Sequence, residues 1–263
     1  MVSVSTFFFD PQALDALVLK YGDSYSKAIP FPHVVMDDFL PYEVVNEIVQ
    51  EFPHPKKIDW LHLKHDNSKK LASKNELQIG PFTRQVIYQL NSSVFTTFLE
   101  NLTGIDGLVP DPHLWGGGLH QIERGGYLNV HADFNKHPKL RLDRRLNLLL
   151  FLNKDWKEEY GGHLQLWNRE MTKCEVNSLP ILNRCVIFST TDYAYHGLPD
   201  PLSCPEGQTR KSLALYYYTN GRPEEEASSP HSTLYQRRPG EKSKKSSAIK
   251  TFLRKLGAHS LSK

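Results

Sequence analysis

Apolar residues along the chain follow two spacings, and the change from one to the other sets the expected architecture. In the first hundred residues they recur at helical spacing. Leu14, Leu17 and Val18 follow an Asp10-Pro11 pair that reads as a helix start. Val44, Val45, Ile48, Val49 and Phe52 mark an amphipathic helix over 41–52, and a further helix runs from Phe82 to Leu102 until Gly104 ends it. Between the first two helices, PFPHVVMDDFL reads as a strand entering a turn. Residues 53–79 are polar, rich in Lys and His, and lack a period. They predict a long mobile loop of the kind that serves as a lid, with Trp60 as the anchor of a lid over residues 60–75.

From about Leu114 the texture changes. Short apolar runs (LWGGGLHQIE, YLNVHAD, RLNLLLFLN, HLQLW, RCVIFST and KSLALYYYT) are separated by Gly, Pro and Asn. Many short strands with turn signals predict an α+β protein with a mainly β core, helices packing on a sandwich or barrel. After Arg222 the chain turns polar and charged. The expected domains are an N-terminal helical extension (1–29), a central domain (30–222) and a polar, basic tail (223–263). Within that tail, 223–247 reads as a linker, and 246–256 could form a short basic amphipathic helix with Ile249, Phe252, Leu253 and Leu256 on one side. A solvated, frayed tail is the simpler reading.

Composition narrows the class. The 263 residues are 39% hydrophobic and 11% aromatic, enough for a globular core. The net charge of +3 is too small to argue for a nucleic-acid partner, and the basic excess sits between Arg237 and Lys263. Cys174, Cys185 and Cys204 form neither an even set nor a CxxC pair, which argues against a disulfide framework and a cysteine zinc site. MVSVSTFFFDP lacks a basic region followed by an apolar run, and no apolar stretch approaches a membrane span. A soluble protein of a reducing compartment, the cytoplasm, is expected; oligomeric state is not legible.

One triplet carries candidate chemistry. In a strand, residues i and i+2 share a face, so His131 and Asp133 of H-A-D can converge on one ion. Imidazole nitrogen with carboxylate oxygen suits a divalent metal such as Fe(II). Alone this means little: with 12 His and 14 Asp in the chain, H-x-D arises by chance roughly 0.6 times. Other features agree with it. His196 follows the apolar run VIFST at a strand or turn edge, a place for a third ligand from a distant strand. Arg210 begins the strand RKSLALYYYT, and an arginine pointing into a β core is costly unless it meets a carboxylate. A dicarboxylate could meet it with a bidentate pair, and Ser212 on the same strand face could add a hydroxyl. His62, His65, His120 and His163 read as solvated, surface or core residues.

These residues carry a family resemblance. H-A-D, the distal His196 and the R-K-S of HGLPDPLSCPEGQTRKSLALYYY resemble the Fe(II)/2-oxoglutarate-dependent dioxygenases, in their prolyl 4-hydroxylase-like branch. FLNKDWKEEYGGHLQLW and PFPHVVMDDFL resemble the same branch, so the similarity spans roughly 30–222. It implies a double-stranded β-helix (jelly roll, cupin-like) with supporting helices. It implies Fe(II) held by His131, Asp133 and His196, and 2-oxoglutarate with its distal carboxylate on Arg210. The implied reaction uses O2 to hydroxylate a C–H bond, releasing succinate and CO2, with ascorbate as an accompanying reductant. The implied substrate is first a prolyl residue in a peptide, then a free amino acid or small metabolite. Many prolyl hydroxylases place Lys where Arg210 stands, and some relatives place a Tyr on the strand 146–152, where this chain has Asn147 and Leu150. Strand parity with His131 points Tyr127 and Asn129 inward, and Tyr127 and Asn147 are further pocket candidates.

Three rivals fit less well. A halogenase on this scaffold needs a vacancy where Asp133 stands. Nucleic-acid demethylases of this type carry a second Arg six residues after the first, where this chain has Tyr216. A non-catalytic jelly-roll binding protein should have lost a ligand or the arginine, and all four residues are present.

Overall fold

The first helix begins where its cap dictates. The Asp10 carboxylate accepts the backbone N–H of Gln12, and Pro11 occupies the first turn, where no N–H is needed. The computed structural model describes residues 7–241. The elements are α1 (Pro11–Lys27), β1 (His33–Met36), α2 (Tyr42–Glu51), β2 (Leu61–His65), β3 (Ser68–Ala72), α3 (Pro81–Leu90), α4 (Ser93–Thr103), β4 (Val109–Pro110) and β5 (Gly118–Ile122). There follow β6 (Tyr127–Ala132), β7 (Asp143–Phe151), β8 (Leu164–Trp167), β9 (Cys174–Ser178), β10 (Cys185–Ser189), β11 (His196–Leu198), β12 (Arg210–Thr219) and β13 (Leu234–Tyr235). The single helix expected from Phe82 to Leu102 is two. Ser92 interrupts it, its hydroxyl accepting the N–H of Phe95 to start α4, and Gly104 closes α4 in the left-handed region at φ 70°.

The strands form one curled antiparallel sheet in the order β1-β10-β7-β12-β5-β3-β6-β11-β8-β9. Alternation gives it two different faces. Leu146, Leu148 and Leu150 of β7 and Leu213, Leu215 and Tyr217 of β12 pack against Val45, Ile48, Val86, Leu90, Phe95 and Leu99 of the helices. Each such side chain contributes about 1.5–3 kcal/mol on burial, so the four helices are held by this face and brace it. The alternate residues Asn147, Leu149, Arg210, Ser212 and Tyr216 face the concave side. This is the expected jelly roll, a half-barrel with helices on its outside.

Two segments depart from the sequence reading. The stretch 53–79 is not a loop without structure. It contains the β2–β3 hairpin, turned at Asp66-Asn67, and β3 pairs with both β5 and β6. Trp60 is buried and stacks on Phe52 in the helical core, so it belongs to the fold and not to a lid. Residues 223–241 likewise hold structure, since Leu234 and Tyr235 pair with Ala132 and His131 of β6. The helix considered for 246–256 lies outside the described residues, as does most of the basic tail. Among the described residues no helix is long and apolar enough to cross a membrane.

Candidate active site

His131 lies near the end of β6 and His196 opens β11, and the two are paired across the sheet. Asp133 follows two residues after His131. The three side chains offer ligand atoms that all lie within 4.8 Å of one another, the only such group of three found among the described residues. His131 Nε2 is 3.6 Å from Asp133 Oδ1, and His196 Nε2 is 3.5 Å from Asp133 Oδ2. Each imidazole is oriented from behind. His131 Nδ1 meets the Asn129 carbonyl at 2.8 Å and His196 Nδ1 meets the Ala194 carbonyl at 2.9 Å. Nδ1 then carries the proton, and the Nε2 lone pair is turned toward the third ligand. Burial, followed by the neighbouring His131, lowers the His196 pKa to about 4 and keeps it neutral.

The pairing of β6 with β11 contains a bulge. His196 stands opposite His131 and Leu198 opposite Leu128, two steps on one strand against three on the other. Leu128 and His131 therefore both face the concave chamber, and simple parity fails. Tyr127 and Asn129, expected inside, line a groove next to the chamber together with Asn67 and Tyr235. The Tyr127 hydroxyl donates to the Asp66 carbonyl at 3.4 Å. Gly197 permits this close crossing: a Cβ there would stand 2.9 Å from the Leu128 carbonyl oxygen and 2.9 Å from the Val130 Cα.

Asp133 is held by two residues of β7. The Asn147 amide donates to Asp133 Oδ2 at 2.7 Å, and Arg144 Nη2 lies 3.0 Å from the same oxygen. Arg144 also donates to Asn147 Oδ1 through Nε and Nη2, at 3.0 and 2.7 Å. Its guanidinium lies over Tyr216 at 3.5 Å and Phe134 at 4.5 Å. Burial alone would raise the Asp133 pKa, but Arg144, then His196 and His131, hold it well below the usual carboxylate range. Asn147 thus touches the Asp133 carboxylate. Arg144 was not foreseen. A register shift on β7 between Leu146 and Arg144 turns it to the same side as Asn147, and no alternation pattern announces that.

Arg210 and Ser212 stand on the inward face of β12, both buried. Arg210 Nε donates to the Gly162 carbonyl at 2.7 Å, and its guanidinium lies 4.8 Å from the centre of the Phe151 ring. Among the described residues no carboxylate pairs with it, and burial pushes its pKa down to about 9. A cation left this way is complementary to an anion from outside the chain. Two residues not singled out for this role also line the chamber. His120, whose Nε2 meets the Gly116 carbonyl at 3.0 Å, is one, and Lys70 of β3 is the other. His62 and His65 are exposed on the hairpin, and His163 pairs with Glu158 at 2.9 Å.

Residues 117–218, a span that includes His131, Asp133, His196, Arg210 and Ser212, match the family model of the 2OG-Fe(II) oxygenase superfamily. That segment is what the chain shares with the superfamily. Its fold is shared with solved structures at low identity. A Pseudomonas putida prolyl-4-hydroxylase matches with TM-score 0.54 and 15% identity, over 80% of this chain and 99% of that one. A Trichoplax adhaerens prolyl hydroxylase, solved with a hypoxia inducible factor oxygen degradation domain peptide, matches with TM-score 0.53 and 18% identity, over 79% and 91%. HygX from Streptomyces hygroscopicus, solved with nickel, 2-oxoglutarate and hygromycin B, matches with TM-score 0.50 and 10% identity, over 86% and 97%. No curated protein matches the sequence. The superfamily's name gives its cofactors as Fe(II) and 2-oxoglutarate. The residues present fit both: two oriented imidazoles and one carboxylate suit Fe(II) with positions left open, and an unpaired buried arginine suits a dicarboxylate.

Proposed function

We propose that this oxygenase hydroxylates an unactivated C–H bond, with His131, Asp133 and His196 as the Fe(II) ligands and Arg210 as the anchor of 2-oxoglutarate. The carrying observation is the pairing of a three-ligand cluster with a buried arginine that has no acid of its own, in one chamber. When bound, Fe(II) with 2-oxoglutarate and O2 supplies the oxidising chemistry, and 2-oxoglutarate leaves as succinate and CO2. The chain's residues do the rest. Arg210 and Ser212 receive the distal carboxylate and so set the direction of the cosubstrate. Asn147 and Arg144 hold Asp133 Oδ2, which orients the carboxylate and keeps it ionised. Phe151, Leu149, Leu164 and Leu128 exclude water from the chamber.

The proposed substrate is a prolyl residue of a peptide. The groove lined by Asn67, Tyr127, Asn129 and Tyr235 runs beside the chamber and could carry an extended chain, and two of the fold's neighbours are named as prolyl hydroxylases. HygX, solved with hygromycin B, keeps a small-molecule substrate as the second reading. Ascorbate would serve as reductant, and a soluble, cytoplasmic setting suits the three free cysteines. The test is anaerobic addition of Fe(II) and 2-oxoglutarate, read as an iron–oxoacid absorption band, then succinate release on admitting O2 with candidate peptides and amino acids. His131→Ala should abolish the band. A wild-type protein that shows no band would sink this reading.

A further inference from the structure

Lys70 brings a third cation into the chamber, and the cofactors leave it without a counter-ion. It is carried by β3, the strand inserted between β5 and β6. It lines the chamber with His131, Asp133, His196, Arg210 and Ser212. Among the described residues no side chain or carbonyl hydrogen-bonds or ion-pairs with its ammonium. The charges around it are otherwise matched. Arg144 is paired with Asp133. On the reading above, Arg210 takes the distal carboxylate of 2-oxoglutarate, and the oxoacid end of the cosubstrate goes to the metal. That leaves a half-buried ammonium facing the same space, complementary to an anion that a ligand would bring.

We propose that Lys70 is a specificity-determining residue whose ammonium receives a carboxylate of the substrate, beside the C–H bond to be hydroxylated. This rests on the function proposed above and narrows its substrate class to molecules with a carboxylate close to the reacting carbon. The carboxylate can come from a free amino acid or from an acidic residue flanking the target in a peptide. Two observations support the substrate over the cosubstrate as its partner. Lys70 comes from the β2–β3 hairpin and not from the strands that carry His131, His196 and Arg210. And His131, Asp133 and His196 line the same chamber as Lys70, so a group held by its ammonium lies in the space next to the proposed metal.

The test uses full-length protein loaded with zinc and 2-oxoglutarate, and the probe is 13C-acetate, with neutral acetamide as control. Line broadening of the probe needs no oxidation chemistry, so it is read independently of the iron–oxoacid band that tests the function. A single charge-assisted contact should give acetate a dissociation constant on the order of millimolar, weakened about tenfold or more in Lys70→Met and held within about threefold in Lys70→Arg. 2-Oxoglutarate affinity in Lys70→Met should stay within about threefold of wild type. Acetate that behaves alike in wild type and Lys70→Met, or that fails to bind wild type at about 100 mM, overturns the proposal. So does about a tenfold loss of 2-oxoglutarate affinity in Lys70→Met, which would assign Lys70 to the cosubstrate. Succinate release with L-proline and with N-acetyl-aspartyl-prolinamide then separates the sources. The one whose release depends on Lys70 names the source, and dependence with neither overturns the idea.

Discussion

Replacing Arg210 with Met should have two effects of opposite sign. In the ligand-free protein the guanidinium is buried without a carboxylate partner, and burial pulls its pKa from 12.5 to about 9. At about 1.4 kcal/mol per pKa unit, holding the charge there costs about 5 kcal/mol. Its 2.7 Å bond from Nε to the Gly162 carbonyl offsets part of this, and leaving that carbonyl unpaired costs about 1–3 kcal/mol. Met fills similar space without charge, so the ligand-free variant should be more stable than wild type by about 2–4 kcal/mol. Cosubstrate binding should move the other way. Truncating one side of a buried charge pair costs about 2–5 kcal/mol, so the 2-oxoglutarate dissociation constant should rise by about thirtyfold or more. Calorimetric unfolding of metal-free protein reads the first effect, and anaerobic titration of the iron–oxoacid band reads the second. A variant that is destabilised while binding 2-oxoglutarate as wild type does would refute the assignment. Arg210 would then be a structural arginine satisfied by Gly162 and Phe151.

Two further predictions follow the same reasoning. Gly197→Ala forces a Cβ against the Leu128 carbonyl and the Val130 Cα, both at 2.9 Å. It should cost about 1–3 kcal/mol as an overpacked backbone contact and weaken metal binding through His196, read by thermal melts and by zinc titration; an unchanged zinc affinity would show that the bulge does not position the ligands. For Lys70, the folded-state pKa of about 8 lies below the ordinary 10.5. The burial penalty is therefore fully present below about pH 8 and is relieved as pH rises toward 10.5. Lys70→Met should melt above wild type near pH 7, with the difference shrinking by pH 10; a difference that stays constant across that range would mean the ammonium is not buried in the folded protein.

The helices and most strands were legible because each has one face on the helical core. Val45 and Ile48 on α2, and the alternation of Leu213, Leu215 and Tyr217 on β12, are what a periodic pattern records. The residues that cluster as His131, Asp133 and His196, and the Arg210–Ser212 pair on one strand face, were legible as well, since residue type and i, i+2 spacing survive in one dimension. The hairpin β2–β3 was not. Its inward side looks into a polar chamber and its outward residues at β2 are exposed, so the alternation of Leu61 and Leu63 in LHLKH stops after one repeat, SKKLA shows none, and Asp66-Asn67 is a weak turn signal.

What the sequence determined by itself is therefore the class of fold and the chemical inventory of the site: two imidazoles, a carboxylate and an arginine on strands of a β core. Tertiary structure decided which other side chains join them. The bulge between β6 and β11 turns Leu128 inward and Tyr127 outward. The register shift on β7 brings Arg144 onto Asp133. The pairing of β3 between β5 and β6 delivers Lys70 from about sixty residues upstream of His131. A bulge or a long-range pairing is stabilised by contacts between strands distant in sequence, and nothing local at Tyr127, Arg144 or Lys70 encodes it.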